Sequence, residues 1–165
     1  MVTDRNRQVN NNLPLFRQFP ALETLPNISL CHFPTPVDVL DATRLSDQPG
    51  SWPASLHIKR DDLSAADYGG NKIRKLEFLL AQAQQSGCSK VLTFGFAGSN
   101  FAAATAWHAR KQNIGCISML LPQPGADYLK KNLLIQLNAG AELHLQQSPL
   151  RLGIDSIWQM MLHTV

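Results

Sequence analysis

Apolar side chains at three- and four-residue steps mark out most of the second half of the chain. Ile73, Leu76, Leu79, Leu80 and Ala83 predict a helix, with Gly87 as its stop. Val91-Leu92-Thr93-Phe94 is a short apolar run suited to a buried strand, and Ala102 to Ala109 is a small-residue helix able to pack closely on a sheet. Ile114 to Leu121 reads as the next strand, ended by Pro122-Gln123-Pro124-Gly125. Ala126 to Asn138 predicts a helix with Leu129, Leu133, Leu134 and Leu137 inward and Gly140 as its stop; Ala141 to Leu145 predicts a further strand. Helices alternating with short strands imply βαβ crossovers and a parallel sheet. No element is assigned to Gln146–Val165.

The first half has a different texture. Met1 to Asn12 is polar and reads as a frayed tail. Pro14, Pro20, Pro26, Pro34 and Pro36 rule out a long helix and predict an extended wrap, pinned to a core by Phe16, Phe19, Leu22 and Leu25. Asp47 to Pro53 is a turn or loop by composition. Ser55 to Lys59 alternates and then meets the charged cluster Arg60-Asp61-Asp62, as a strand reaching a site would.

Composition narrows the classes. With 44% hydrophobic and 16% charged residues the chain has a soluble globular balance, and 165 residues suffice for one ordinary core or two small lobes. The net charge of +3 is spread along the chain, which argues against a nucleic-acid surface. No apolar stretch reaches the length of a membrane span, and the polar start is no signal peptide, so a cytoplasmic protein is expected. Cys31, Cys88 and Cys116 lack paired spacing and read as buried or partly buried free thiols. His32, His57, His108, His144 and His163 lack metal-ligand spacing, so no metal site is expected.

Two turns carry the candidate chemistry. Gly69-Gly70-Asn71-Lys72 lets the backbone bend sharply, with Asn71 placed to cap a helix that begins at Lys72. A lysine fixed there reads either as a nucleophilic amine or as a solvated basic residue at a helix start. Phe96 to Phe101 follows a strand and opens a helix, the place where open parallel sheets bind ligands. Ser99 offers a hydroxyl, and Asn100 both a donor and an acceptor; an ordinary capped turn is the plain alternative. Asp61 and Asp62 are better explained by pairing with Arg60, Arg74 or Lys75 than by acid–base work.

Lys59-Arg60-Asp61-Asp62-Leu63, the block from Gly69 to Glu77 and Gly98-Ser99-Asn100 together resemble the D-cysteine desulfhydrase and 1-aminocyclopropane-1-carboxylate (ACC) deaminase family. These are fold-type II enzymes that use pyridoxal 5′-phosphate (PLP), and the similarity runs from Phe33 to Leu145. The resemblance implies an α/β fold with the three-layer parallel sheet of the tryptophan synthase β-like enzymes, here incomplete. It places residues 1–75 in the larger PLP-binding lobe and 76–165 in a smaller βαβ lobe. It implies that Lys72 forms the internal aldimine, that Asn71 flanks it at the cofactor, and that Asn100 hydrogen-bonds the phenolic oxygen of PLP. Ser99 would sit near the substrate carboxylate or handle a proton. A small amino-acid substrate and a homodimeric full-length form follow from the same resemblance; neither nucleic acid nor membrane is expected as partner, on the charge and hydropathy of the chain. Lys59 to Leu63 is closer to the desulfhydrase branch, since ACC deaminases carry Glu-Asp-Cys there.

The chain also departs from these relatives. They commonly read Gly-Gly-Ile-Gln-Ser-Asn-His where this chain reads Gly95-Phe96-Ala97-Gly98-Ser99-Asn100-Phe101. Two polar groups are replaced by Gly98 and Phe101, and the glycine is expected to leave a gap. Family members run to roughly twice this length, and no Gly-rich phosphate turn follows Asn100, so a fragment is expected, either a truncated reading frame or the first half of an enzyme. A non-catalytic remnant is the alternative to a lyase or deaminase.

Overall fold

The computed structural model describes residues 13–40, 55–125 and 127–162; the expected tail over Met1 to Asn12 and the expected loop over Asp47 to Pro53 lie outside them. The N-terminal arm is not wholly extended. Pro14 and Pro20 each open a short turn of helix, α1 (Pro14–Gln18) and a 3-10 turn over Pro20–Thr24. Proline is compatible with the first helical position because its missing N–H would be unpaired there anyway. Of the four expected pins only Phe16 is buried, edge-on to Phe78 with ring centroids 6.4 Å apart. Phe19 and Leu25 are exposed and Leu22 is half-buried, because the two helical turns rotate them away from the core.

The strands β1 (Val37–Leu40) and β2 (Leu56–Lys59) pair antiparallel, with Val37 opposite Lys59 and Leu40 opposite Leu56. This ribbon is exposed apart from Leu56, which is half-buried. It ends at Arg60, and a 3-10 turn over Asp61–Leu63 leads towards α2 (Ile73–Gln85).

The remaining elements alternate as the periodicity predicts: β3 (Lys90–Phe96), α3 (Asn100–Lys111), β4 (Gly115–Leu121), α4 (Asp127–Asn138) and β5 (Glu142–Leu145). The sheet order is β3-β4-β5 and both pairs are parallel, from Lys90 beside Gly115 to Phe96 beside Leu121, and from Ile117 beside Glu142 to Leu120 beside Leu145. The central strand is buried from Cys116 through Leu120, so both its faces are covered. Successive crossovers of the usual right hand put α3 and α4 on one face, and these helices pack on each other. Ala102, Ala103, Ala104, Ala106 and Ala109 are buried, which lets α3 lie close to β3 and β4.

Two helices bury polar residues that their apolar periods do not predict; α2 otherwise buries the expected Ile73, Leu76, Leu80 and Ala83. On α4 the structure buries Asn132 and Gln136, while Leu134 and Leu137 are exposed and Leu129 and Leu133 are half-buried. Periodicity finds an apolar stripe but not what covers it; the buried pair is held by hydrogen bonds described below. On α2, Leu79 is 54% exposed and Glu77 is buried in its place. Glu77 Oε1 accepts from the backbone N–H groups of Leu30 at 2.9 Å and Cys31 at 3.0 Å, so the arm covers that side of the helix.

An unassigned helix, α5 (Pro149–Leu162), follows β5 and packs on β4. Its start was readable: Ser148 Oγ accepts from Arg151 N at 3.3 Å, with Pro149 in the first position. Leu150, Ile154, Ile157 and Trp158 lie exposed along it. Cys31 and Cys116 are buried, and burial pushes their thiols up to about 12 and about 11 respectively. Cys88 departs from the expectation and is exposed, since it follows the turn that ends α2.

Candidate functional site

The turn that carries Lys72 is built by groups that leave little freedom. A side chain at Gly69 would place its Cβ 2.1 Å from the carbonyl oxygen of Asp62, and Gly70 sits at φ +127°, where other residues are strained. Gly70 N–H donates to Asp61 O at 2.8 Å and to Ser64 Oγ at 3.0 Å. Buried Ser64 returns a bond to Asp61 O at 2.7 Å. The helix opens one residue later than expected. Lys72 occupies the N-cap position with helical backbone angles, and no side chain caps the end. Asn71 is therefore not the cap: Ile73 N–H is taken by Gly70 O at 3.2 Å. Asn71 and Lys72 are both exposed.

Charged groups below the turn pair as expected for Asp61 and Asp62. Arg60 binds Asp62 at 2.7 Å and Asp38 at 2.6 Å, while Arg74 binds Asp61 at 2.6 Å and lies 4.4 Å over the Phe33 ring. The Arg74 guanidinium holds the Asp61 carboxyl below the ordinary carboxylate range. Lys75 takes no carboxylate of this pair; its ammonium sits 3.8 Å over the Phe101 ring, joining the first turn of α2 to the second candidate turn.

That second turn follows β3. Ala97 N–H bonds Leu121 O at 2.8 Å and Ser99 N–H bonds Phe96 O at 2.8 Å. Ser99 caps α3, its Oγ accepting from Ala102 N at 3.2 Å, which leaves the hydroxyl proton free to donate elsewhere. Asn100 Oδ1 accepts from Asn132 Nδ2 at 2.8 Å, and the same Asn132 group donates to Gly98 O at 2.8 Å. Gly98 leaves no gap. Gln123 Oε1 accepts from its N–H at 3.0 Å, and a Cβ at Gly98 would meet that oxygen at 2.8 Å and the Tyr128 ring at 2.9 Å.

Gly69 and Asn100, at the edges of the two turns, line a cavity of about 430 Å³ together with Tyr68, Tyr128 and Asn132, whereas Asn71, Lys72 and Ser99 are not among its lining residues. That volume lies within the range of small-ligand sites. Tyr68 OH also donates to Asn100 O at 3.4 Å. Asn132, Gln123 and Tyr128 were missed from sequence, although a polar Asn132 in the middle of an otherwise leucine-rich helix was the available signal. Among the described residues no group of His, Cys, Asp and Glu could hold a metal, and no helix is long and apolar enough to cross a membrane.

Residues 28–149 match the model of a family described as "Pyridoxal-phosphate dependent enzyme". A putative 1-aminocyclopropane-1-carboxylate deaminase of Pyrococcus abyssi is 37% identical over 140 residues, which is 85% of this chain and 38% of that one. Nocardicin C-9′ epimerase of Nocardia uniformis subsp. tsuyamanensis is 42% identical over 101 residues, covering 61% of this chain and 31% of the relative. D-cysteine desulfhydrase of Salmonella paratyphi A is 41% identical over 99 residues, 60% of this chain and 29% of the relative. A solved structure described as an ACC deaminase homologue superposes with a TM-score of 0.65 at 34% identity, over 79% of this chain and 38% of that one. The chain thus spans between 29% and 38% of the length of these relatives.

Proposed function

The chain belongs to the family of pyridoxal-phosphate dependent enzymes, and on that premise we propose that it is the amine-bearing part of a lyase or deaminase acting on a small amino acid. D-cysteine is the preferred substrate, giving pyruvate, ammonia and sulfide. ACC, giving 2-oxobutyrate and ammonia, is the second reading; a non-catalytic remnant is the third. The observation that carries the proposal is Lys72, an exposed amine at the end of a turn held by Gly69, Gly70 and Asp61.

The residues present fit the cofactor at two points. An aldehyde needs a primary amine that it can reach, which exposed Lys72 supplies. A phenolic oxygen needs a donor, and Asn100, with Oδ1 engaged by Asn132, has its Nδ2 group to give. Bound PLP supplies an electron sink that weakens the bonds at the substrate's Cα. Lys72, once its amine is free, can hold or return a proton there. Asn71 flanks the lysine, and the Ser99 hydroxyl is a donor for the substrate carboxylate or a carrier of a proton. Residues 1–75 are assigned to the larger lobe and 76–165 to the smaller one of a cytoplasmic enzyme that is homodimeric at full length.

D-cysteine is placed first because Lys59 to Leu63 resembles the desulfhydrase branch and because Gly98 and Phe101 replace polar groups. Adding PLP, reducing with borohydride and mapping peptides should label Lys72; label on Lys75 or Lys59 would overturn the site. Joining the chain to the part of the Salmonella relative that it does not cover, then assaying products, ranks the substrates. Faster 2-oxobutyrate release from ACC than pyruvate from D-cysteine would reverse the order.

A further inference from the structure

We propose that Asn132 and Gln123 are positioning residues that fix the Gly98–Asn100 turn so that Asn100 offers its amide donors, and not its carbonyl, to an acceptor oxygen in the cavity it lines. The identity of that oxygen rests on the function proposed above. The orientation of Asn100 does not.

The orientation follows from a chain of acceptors and donors. A backbone carbonyl can only accept, so Asn132 must turn Nδ2 towards Gly98 O, 2.8 Å away. The same Nδ2 lies 2.8 Å from the side chain of Asn100, which must therefore present Oδ1 to it. Flipping Asn132 would set its carbonyl oxygen against that of Gly98, and flipping Asn100 would set two amino groups together. Either leaves a buried polar group unpaired, because Asn132 is only 3% exposed. Asn132 is itself held, its backbone oxygen accepting from Gln136 Nε2 at 3.2 Å. The Nδ2 group of Asn100, with no partner among the described residues, is left as a donor at the cavity.

Gln123 clamps the other side of the same peptide unit. Its Oε1 takes Gly98 N–H at 3.0 Å, and its Nε2 donates to Tyr128 OH at 3.1 Å. Only a residue without a side chain leaves room for that amide. A glycine in this turn and a glutamine at position 123 thus belong together.

Side-chain amide exchange by NMR on the full chain tests this without any cofactor. Asn132 Nδ2 protons should exchange more slowly than those of Asn100 by about tenfold or more. Slow exchange at Asn100 in the unmodified protein would overturn the assignment, and needs no variant. In Asn132→Asp an acceptor replaces the donor, so the Asn100 amide should turn towards it and become the slow one; unchanged exchange there would also overturn it. PLP is then titrated while borohydride labelling of Lys72 is followed. An Asn100 Nδ2 resonance that shifts in the unmodified protein and not in Asn132→Asp, with Lys72 labelled in both, supports the positioning role. The expected exchange pattern without Lys72 labelling upholds the orientation and removes the proposed function instead. Lys72 labelled in both proteins with identical Asn100 shifts removes the positioning role alone.

Discussion

Arg74 grips both carboxylate oxygens of Asp61, Nε to Oδ2 at 3.0 Å and Nη2 to Oδ1 at 2.6 Å. The pair ties the 3-10 turn that follows β2 to the first turn of α2, and Thr35 Oγ1 adds a bond to the same carboxylate at 3.3 Å. Lys72 sits between the two partners in sequence, so its backbone is held from both sides.

This arrangement sets a pH dependence. The Asp61 carboxyl is held below its ordinary value of 3.8, chiefly by the Arg74 hydrogen bonds. A lowered carboxylate stabilises the fold above the unfolded value and loses that contribution as pH falls through the folded one. Asp61→Asn should therefore be less stable than the unmodified chain near neutrality, with the gap closing at low pH. Urea midpoints measured across the acid range check this; a gap that does not change with pH would remove the ion pair as its cause.

Glu77 should behave in the opposite sense. Burial raises its carboxyl above the ordinary value of 4.5, against the two backbone N–H bonds that favour the charged form. An acid raised in the folded state contributes most below its unfolded value and loses ground as pH rises through the folded one. Glu77→Gln keeps an acceptor for Leu30 and Cys31, so its stability relative to the unmodified chain should improve from acid to neutral pH. Glu77→Ala orphans both N–H groups and should cost about 1–3 kcal/mol, measurable by thermal or urea unfolding.

Gly69→Ala tests the rigidity of the lysine turn. Its Cβ would fall 2.1 Å from a backbone oxygen, which cannot move aside as a side-chain tip can. A loss of about 1–3 kcal/mol is expected, together with reduced PLP labelling of Lys72. Full stability with unchanged labelling would show that the turn relaxes freely.

Expressed by itself, the chain should retain PLP weakly, turn over neither D-cysteine nor ACC, and associate as its concentration rises. Apolar side chains stand exposed along α5 (Leu150 75%, Trp158 60%) and on the β1–β2 ribbon (Val39 64%). Contiguous exposed apolar surface of this kind favours self-contact. Sedimentation across a concentration series, dialysis against PLP and a pyruvate assay would check it. Stoichiometric retention with turnover abolished by Lys72→Ala would reverse this expectation.

The alternation of β3, α3, β4, α4 and β5 was readable in the amino-acid order because it rests on local periods. A strand buried on both faces must be apolar at every step, as from Cys116 to Leu120, where Ser118 is the one polar exception, and a helix pressed on it must be small, as at Ala102 to Ala109. The two candidate turns were readable for a related reason: glycines at Gly69 and Gly70 are needed wherever the backbone bends sharply or passes close to another chain segment.

What tertiary structure alone decided is which polar residues the helices bury beside their apolar faces and which atoms each polar side chain offers. The leucines of α4 and the Ile73–Ala83 stripe define faces, but Asn132, Gln136 and Glu77 are the polar groups turned inward on those helices. Asn132 reaches Gly98 and Asn100, and Glu77 reaches Leu30 and Cys31, each over thirty residues distant in sequence, whereas Gln136 donates locally to Asn132 O. A hydrophobic period records how residues share a surface, whereas a buried amide is stable only when specific donors and acceptors arrive opposite it. The direction in which Asn100 points depends on Asn132, and the emptiness of Gly98 is explained only by the Gln123 amide that occupies it.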